Sequence, residues 1–212
     1  MAFSQRLLIL SFDTATDVAT ACLSHDGEVL GQRATHGRST SAQHLLSDVD
    51  ALLSEAGRDT TDLEAIVTGT GPGTFTGLRI GLATARALGF ALQIPVRGVS
   101  TLDALLQGEG VGVACIDARR GEVFAAGSGI EPCVIAPEAL AERLAAGAVV
   151  AGDGAVRYRD LLGTAVVPAD DSPLHVPWAS HHAALIDRAG PPDPTYLRAP
   201  DADRVLTKGA AR

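Results

Sequence analysis

The stretch GTGPGTFTGLRIG, Gly69 to Gly81, limits the possible folds more than any other in the chain. Its glycines lie between an apolar run, Leu63–Thr68, and a helical pattern that continues to about Leu92. Strand, glycine loop and helix in that order form a crossover unit, so the next apolar run, Pro95–Val99, is expected to lie parallel to the first. The fold class is therefore α/β. Within the helix, Gly77, Gly81, Ala85 and Gly89 recur at every fourth position. Glycine inside a helix costs about 1 kcal/mol relative to alanine, so repeated glycines need a compensating close contact. That contact is either the chain's own lobe or the face of another chain, and spacing alone leaves both open.

The flanking segments extend the pattern. Arg6–Phe12, Asp17–Ser24 and Glu28–Ala34 read as three strands, the last two joined by a tight turn at Asp26-Gly27. Ser39, Thr40 and Ser41 offer N-caps for a helix ending at Gly57, with Leu45, Leu46, Val49, Leu52, Leu53 and Ala56 at helical spacing. The order is β-β-β-α-β-α-β. After a polar, glycine-containing break at LLQGEGVG, it begins again: VGVACIDARRGEVFAAGSG repeats the strand–Asp–turn–strand order of LLILSFDTATDVATACLS. A short strand at Cys133–Ile135, a helix PEALAERLAA opened by proline, and a strand at Ala148–Ala151 follow. This predicts two lobes of like topology, residues 1–106 and a smaller 107–212, with a cleft between them.

Tested as a phosphate site, the glycine loop meets few requirements. No lysine follows the last glycine, so it is not a Walker loop. Read as a dinucleotide fingerprint, Gly71 to Gly77 lacks the acidic residue expected after the next strand, which runs PVRGVS. The loop keeps some capacity for an anion through its backbone N–H groups, and Asp13, Thr14, Gly71, Gly73, Thr74, Arg79 and Asp117 are the candidates for an anion or nucleotide junction. Arg79 in the first helical turn is expected to face solvent, because the helix dipole disfavours a cation there. Asp13 and Asp117, each ending a strand, could face one another across the cleft as an ion-bound nucleotide requires, or could cap turns. The six histidines form no metal-ligand pair, and His181-His182 reads as a solvated approach to a helix. A formal charge of −8 opposes unaided binding to nucleic acid. Cys22, Cys115 and Cys133 show no metal or redox spacing and read as buried free thiols. Neither a signal peptide nor a membrane span is legible, and a cytoplasmic protein is expected.

ILSFDTATDVATACL, GPGTFTGLRIGLATARALGFAL, IDARRGEVFAA and the late PTYLR together resemble the TsaB (YeaZ) family, from about Leu7 to Arg198. The resemblance implies an actin-like ATPase and sugar kinase (ribonuclease H-like) fold. It further implies a non-catalytic subunit for threonylcarbamoyl transfer to N6 of adenosine 37 in tRNAs that read ANN codons. The expected partners are a TsaD-like catalytic subunit and a TsaE-like ATPase, with tRNA reached only through the complex and a homodimer formed in isolation. No cofactor is expected on this chain alone; ATP, threonylcarbamoyl-adenylate and metal are expected in the catalytic subunit. Where TsaD-type chains carry two metal-binding histidines, this sequence has VSTLDAL, with Thr101 and Leu105 at those positions. On this reading Leu45, Val49, Leu52, Gly77, Gly81, Ala85 and Gly89 belong to the partner interface. The alternative is an actin-like peptidase or small-molecule kinase acting by itself, for which no nucleophile–base pair or catalytic Asp and Lys can be assigned.

Overall fold

The computed structural model describes residues 7–37 and 41–198. Its first half contains β1 (Leu8–Asp13), β2 (Val18–His25), β3 (Glu28–His36), α1 (Ser41–Glu55), β4 (Ala65–Gly69), α2 (Phe75–Leu92), β5 (Val96–Val99) and α3 (Thr101–Leu105). The strands form one sheet in the order β3-β2-β1-β4-β5. β2 is antiparallel to β1 and β3, whereas β4 is parallel to β1 and β5. Asp26 and Gly27 both take positive φ, as a two-residue turn of this kind requires. Of the expected caps for α1, Ser39 and Thr40 lie outside the described residues, and Ser41 is the first residue of the helix. α1 is followed by Gly57 in the left-handed conformation, and the Arg58 N–H reaches back 2.9 Å to the Leu53 carbonyl.

Alternation along β1 sorts its side chains onto two faces. Leu8, Leu10 and Phe12 pack with Leu45, Val49, Leu52 and Leu53 of α1 and Ala85 of α2. Each large apolar side chain fully buried there contributes roughly 1.5–3 kcal/mol. Ile9 points the other way, into a second cluster with Ala65, Val67 and Val99.

The second half repeats the arrangement with β6 (Val113–Arg119), β7 (Glu122–Gly127), β8 (Ile130–Ile135), α4 (Pro137–Ala141), β9 (Val150–Ala151), α5 (Asp153–Arg157) and α6 (Ala179–Ala184). Its sheet, β8-β7-β6-β9, has the order of the first four positions of the other sheet. Val166 stands in the fifth position as a single bridge to Val149. The helix expected over PEALAERLAA stops at Ala141, where the bonding tightens to three-residue turns: Arg143 N–H to Leu140 and Leu144 N–H to Ala141. This duplicated sheet is the actin-like, ribonuclease H-like fold.

The expected second lobe, residues 107–212, includes α6, yet α6 packs on the first sheet. Ala183, with Leu185, Ile186 and Ala189 just beyond the helix, covers Ile9, Ala65, Val67 and Val99. Ser11 donates to the Ala179 carbonyl at 2.7 Å, and Thr20 donates to that of Pro177 at 2.9 Å. A sheet with both faces apolar needs a layer on each, and the chain returns to supply the second.

Candidate functional site

Asp13 ends β1 and is fully buried, as is His182 of α6. His182 Nε2 stands 2.9 Å from Asp13 Oδ2, an ion-pair contact off the line of a well-formed hydrogen bond. Thr101 Oγ1 donates to the same oxygen at 2.7 Å, and the Ala15 N–H donates to Oδ1 at 2.6 Å. Burial pushes the Asp13 carboxyl up, but His182, the Ala15 N–H and Thr101 together outweigh it and hold the group below its usual range. All of its bonding is therefore internal, and Asp13 does not face the cleft. Sequence reading also placed His181-His182 in solvent; His182 is instead the partner that makes this carboxylate tolerable. Its signal is absent locally because the two residues meet only through the fold.

The glycine loop encloses the turn after Asp13. A Cβ on Gly69 would overlap the Asp13 carboxylate, one on Gly73 the Ala15 carbonyl, and one on Gly77 the Thr14 carbonyl. Thr14 Oγ1 donates to the Gly77 carbonyl at 2.7 Å, and the Thr74 N–H donates to Ala15 at 2.6 Å. Gly81 lies against Thr14 Oγ1 and Gly89 against Val96. Gly71 has φ +84°, and the Thr101 N–H donates to its carbonyl at 2.8 Å. The small-residue strip is thus occupied by the chain's own β1 turn and β5. This corrects the expected interface set: Leu45, Val49, Leu52, Gly81, Ala85 and Gly89 are buried in their own lobe, and Gly77 is closed off by Thr14. Only the opposite sides of α1 and α2 face outward.

Asp117 occupies the matching place in the second lobe. Its Oδ1 accepts from the Arg119 N–H at 2.8 Å, the same two-residue turn that Asp13 makes with Ala15. Its Oδ2 lies 2.8 Å from Arg119 Nη1 and 3.5 Å from Arg157 Nη1. Arg119 also spans the lobes, 3.1 Å from Asp17 of the β1–β2 turn. Of the two roles open to these aspartates, turn capping is what their bonding supports.

A cleft of about 730 Å³ opens where the glycine loop meets the β6–β7 turn, with residues 195–198 along one side. It brings together Gly73, Thr74, Arg79 and Asp117 from the candidate set, while Asp13, Thr14 and Gly71 do not line it. Arg79 is exposed, as expected, and its Cζ lies 3.6 Å from the centre of the Phe75 ring. Among the described residues no group of three His, Cys, Asp or Glu is placed to hold a metal. Thr101 is committed to Asp13 and Leu105 to an apolar cluster.

Residues 35–148 match the model of the family described as TsaD: tRNA N6-adenosine threonylcarbamoyltransferase. YeaZ from Pseudomonas aeruginosa superposes with a TM-score of 0.72 at 29% identity, covering 90% of this chain and all of that one. This chain belongs to the TsaB (YeaZ) family. An uncharacterised protein of Mycobacterium tuberculosis is 41% identical over 201 residues, 92% of this chain and 93% of its own length. The Escherichia coli tRNA threonylcarbamoyladenosine biosynthesis protein TsaB is 39% identical over 122 residues, 55% of this chain and 52% of that protein. Within this TsaB-family chain, the motif block that carries the likeness is the one that wraps the Asp13 turn, so its glycines are accounted for by packing.

Proposed function

We propose that the chain is a non-catalytic subunit in tRNA threonylcarbamoyladenosine biosynthesis, binding and activating a TsaD-like catalytic subunit. ATP, the threonylcarbamoyl-adenylate and the metal belong to that partner, a TsaE-like ATPase joins the pair, and tRNA meets this chain only within the complex. The TsaB names of the relatives support the pathway. The observation that carries the partnership is an uncovered apolar strip. α1 and α2 lie side by side on one face of the first sheet, so their outer sides make one surface. Leu46 is 59% exposed and Phe90 80%, and Ala83, Ala87 and Ala91 share the outer side of α2. Exposed apolar side chains on paired helices support a contact site, and in isolation a second copy would cover them.

The test is light scattering behind size exclusion, on the chain alone and mixed with the TsaD-like protein of the same organism. The wild type is expected to give a one-to-one complex in place of a self-dimer. Leu46→Glu and Phe90→Glu, both at exposed positions, are expected to weaken the complex at least about tenfold, as loss of an interface anchor does. Unchanged circular dichroism would show that the fold is intact. A complex of normal strength in the double variant would overturn the reading.

A further inference from the structure

β5 is the edge strand of the first sheet, and there Gly98 and Gly190 exchange hydrogen bonds of 2.9 Å in both directions. Beside that bridge a pocket of about 420 Å³ opens between α3 and the turn Ile186–Arg188 that follows α6. It shares no lining residue with the cleft between the lobes. It also lies toward the face of the sheet that Leu185 and Ile186 cover, not the face under α1 and α2. Val99, Leu106 and Leu185 give it an apolar wall, and its charged lining residues are Asp103 and Arg188, one of each sign. The volume falls within the range of small-molecule sites.

These two charges do not pair. Among the described residues no donor reaches the Asp103 carboxylate and no acceptor meets the Arg188 guanidinium. Burial pushes the Asp103 carboxyl up, and His182 and Arg188 draw it down by less, so the two pocket charges act on one another across a gap. Asp103 is the third residue of α3, and Ser100 is its N-cap, with Oγ accepting from the Leu102 N–H at 3.2 Å. An acidic side chain at that position commonly turns back onto the cap's own N–H. Asp103 does not, and the Ser100 N–H meets no acceptor among the described residues. Ser100 is extended, so its N–H points the same way as that of Gly98 two residues earlier, toward the outer edge of β5. The pocket wall thus holds one unused carboxylate, one unused guanidinium and one unused N–H donor.

We propose that this pocket binds a small zwitterion, a free α-amino acid with an uncharged side chain. Its ammonium group meets Asp103, its carboxylate meets Arg188 and the Ser100 N–H, and its side chain lies against Val99, Leu106 and Leu185. A ligand of one sign would satisfy one pocket charge and repel the other. A free amino acid carries both charges on one carbon, whereas a peptide carries them at opposite ends.

Amide NMR on the chain alone tests this independently of any partner protein, with each uncharged L-amino acid added in turn. At least one is expected to bind with a Kd of about 1 mM or lower and to shift the amides of Gly98, Ser100 and Gly190. Its N-acetylated form, which lacks the ammonium group, and its C-terminal amide, which lacks the carboxylate, are each expected to bind about tenfold more weakly. Those two compounds probe the unaltered chain, so the test does not depend on a variant folding. Asp103→Asn and Arg188→Gln are each expected to weaken binding about tenfold through loss of a charged hydrogen bond. Both positions are exposed, so the fold should survive. Thermal melts separate a ligand contact from a helix cap: Asp103→Asn losing stability with binding unchanged would mean that Asp103 serves α3 alone, and would overturn the proposal. So would silence from every amino acid at millimolar concentration, undiminished binding of both blocked forms, shifts confined to other residues, or full binding by both variants.

Discussion

Asp13 was legible in the sequence as a special residue, but its chemistry was not. A strand-end aspartate reads equally as an ion ligand or a turn cap, and the choice is made by His182, which no local pattern links to it. With both side chains wholly buried, removing one leaves the other uncompensated, a change that costs about 3–5 kcal/mol. Asp13→Asn is expected to lower stability by that order in urea unfolding at neutral pH. The native carboxyl lies below its usual range, so as pH falls the unfolded chain takes up this proton first. The stabilisation from Asp13 is therefore complete above the unfolded value of about 3.9 and is lost as pH falls further, through the native value. The gap between wild type and Asp13→Asn should narrow over that acid range. A gap constant with pH would mean that the carboxylate charge contributes nothing.

α2 shows what a periodic pattern can and cannot tell. Its existence, its extent to Leu92 and its need for close contact all followed from apolar spacing and glycine cost, as the strand positions of the first sheet followed from alternation and from Asp26-Gly27. Which surface the glycines approach did not follow, because a strip of small residues looks the same against a strand or a partner helix. The two sides of the helix now separate cleanly. Gly77→Ala would drive a methyl group into the Thr14 carbonyl, and is expected to cost at least about 1–3 kcal/mol. Ala87→Leu, on the exposed side, should leave stability within about 0.5 kcal/mol. Thermal melts of the two variants decide: equal losses would mean that both sides are committed to the fold. Gly81→Leu, which also meets Thr14, would unfold the lobe and so cannot probe an interface.

At the scale of the molecule, the repeat of strand, aspartate and hairpin was readable because each lobe spells it out locally. The return of α6 to the first sheet was not, since its six residues ASHHAA carry little apolar periodicity and their partners lie in the other half of the chain. That crossing ties the lobes into one unit. Without it Ile9, Val67 and Val99 would be exposed, Asp13 would lose His182, Ser11 would lose the Ala179 carbonyl and Thr20 that of Pro177. The first ~106 residues thus lack one of their own layers, and the two sheets should not unfold separately. Trp178, the sole tryptophan, sits at the N-cap of α6 and reports its docking. In urea, Trp178 fluorescence and far-UV circular dichroism are expected to follow one coincident transition, and Asp13→Asn to shift both curves together. A fluorescence change well ahead of the dichroism would mean that α6 undocks from a sheet that persists without it, and that the first lobe is complete without the segment that returns.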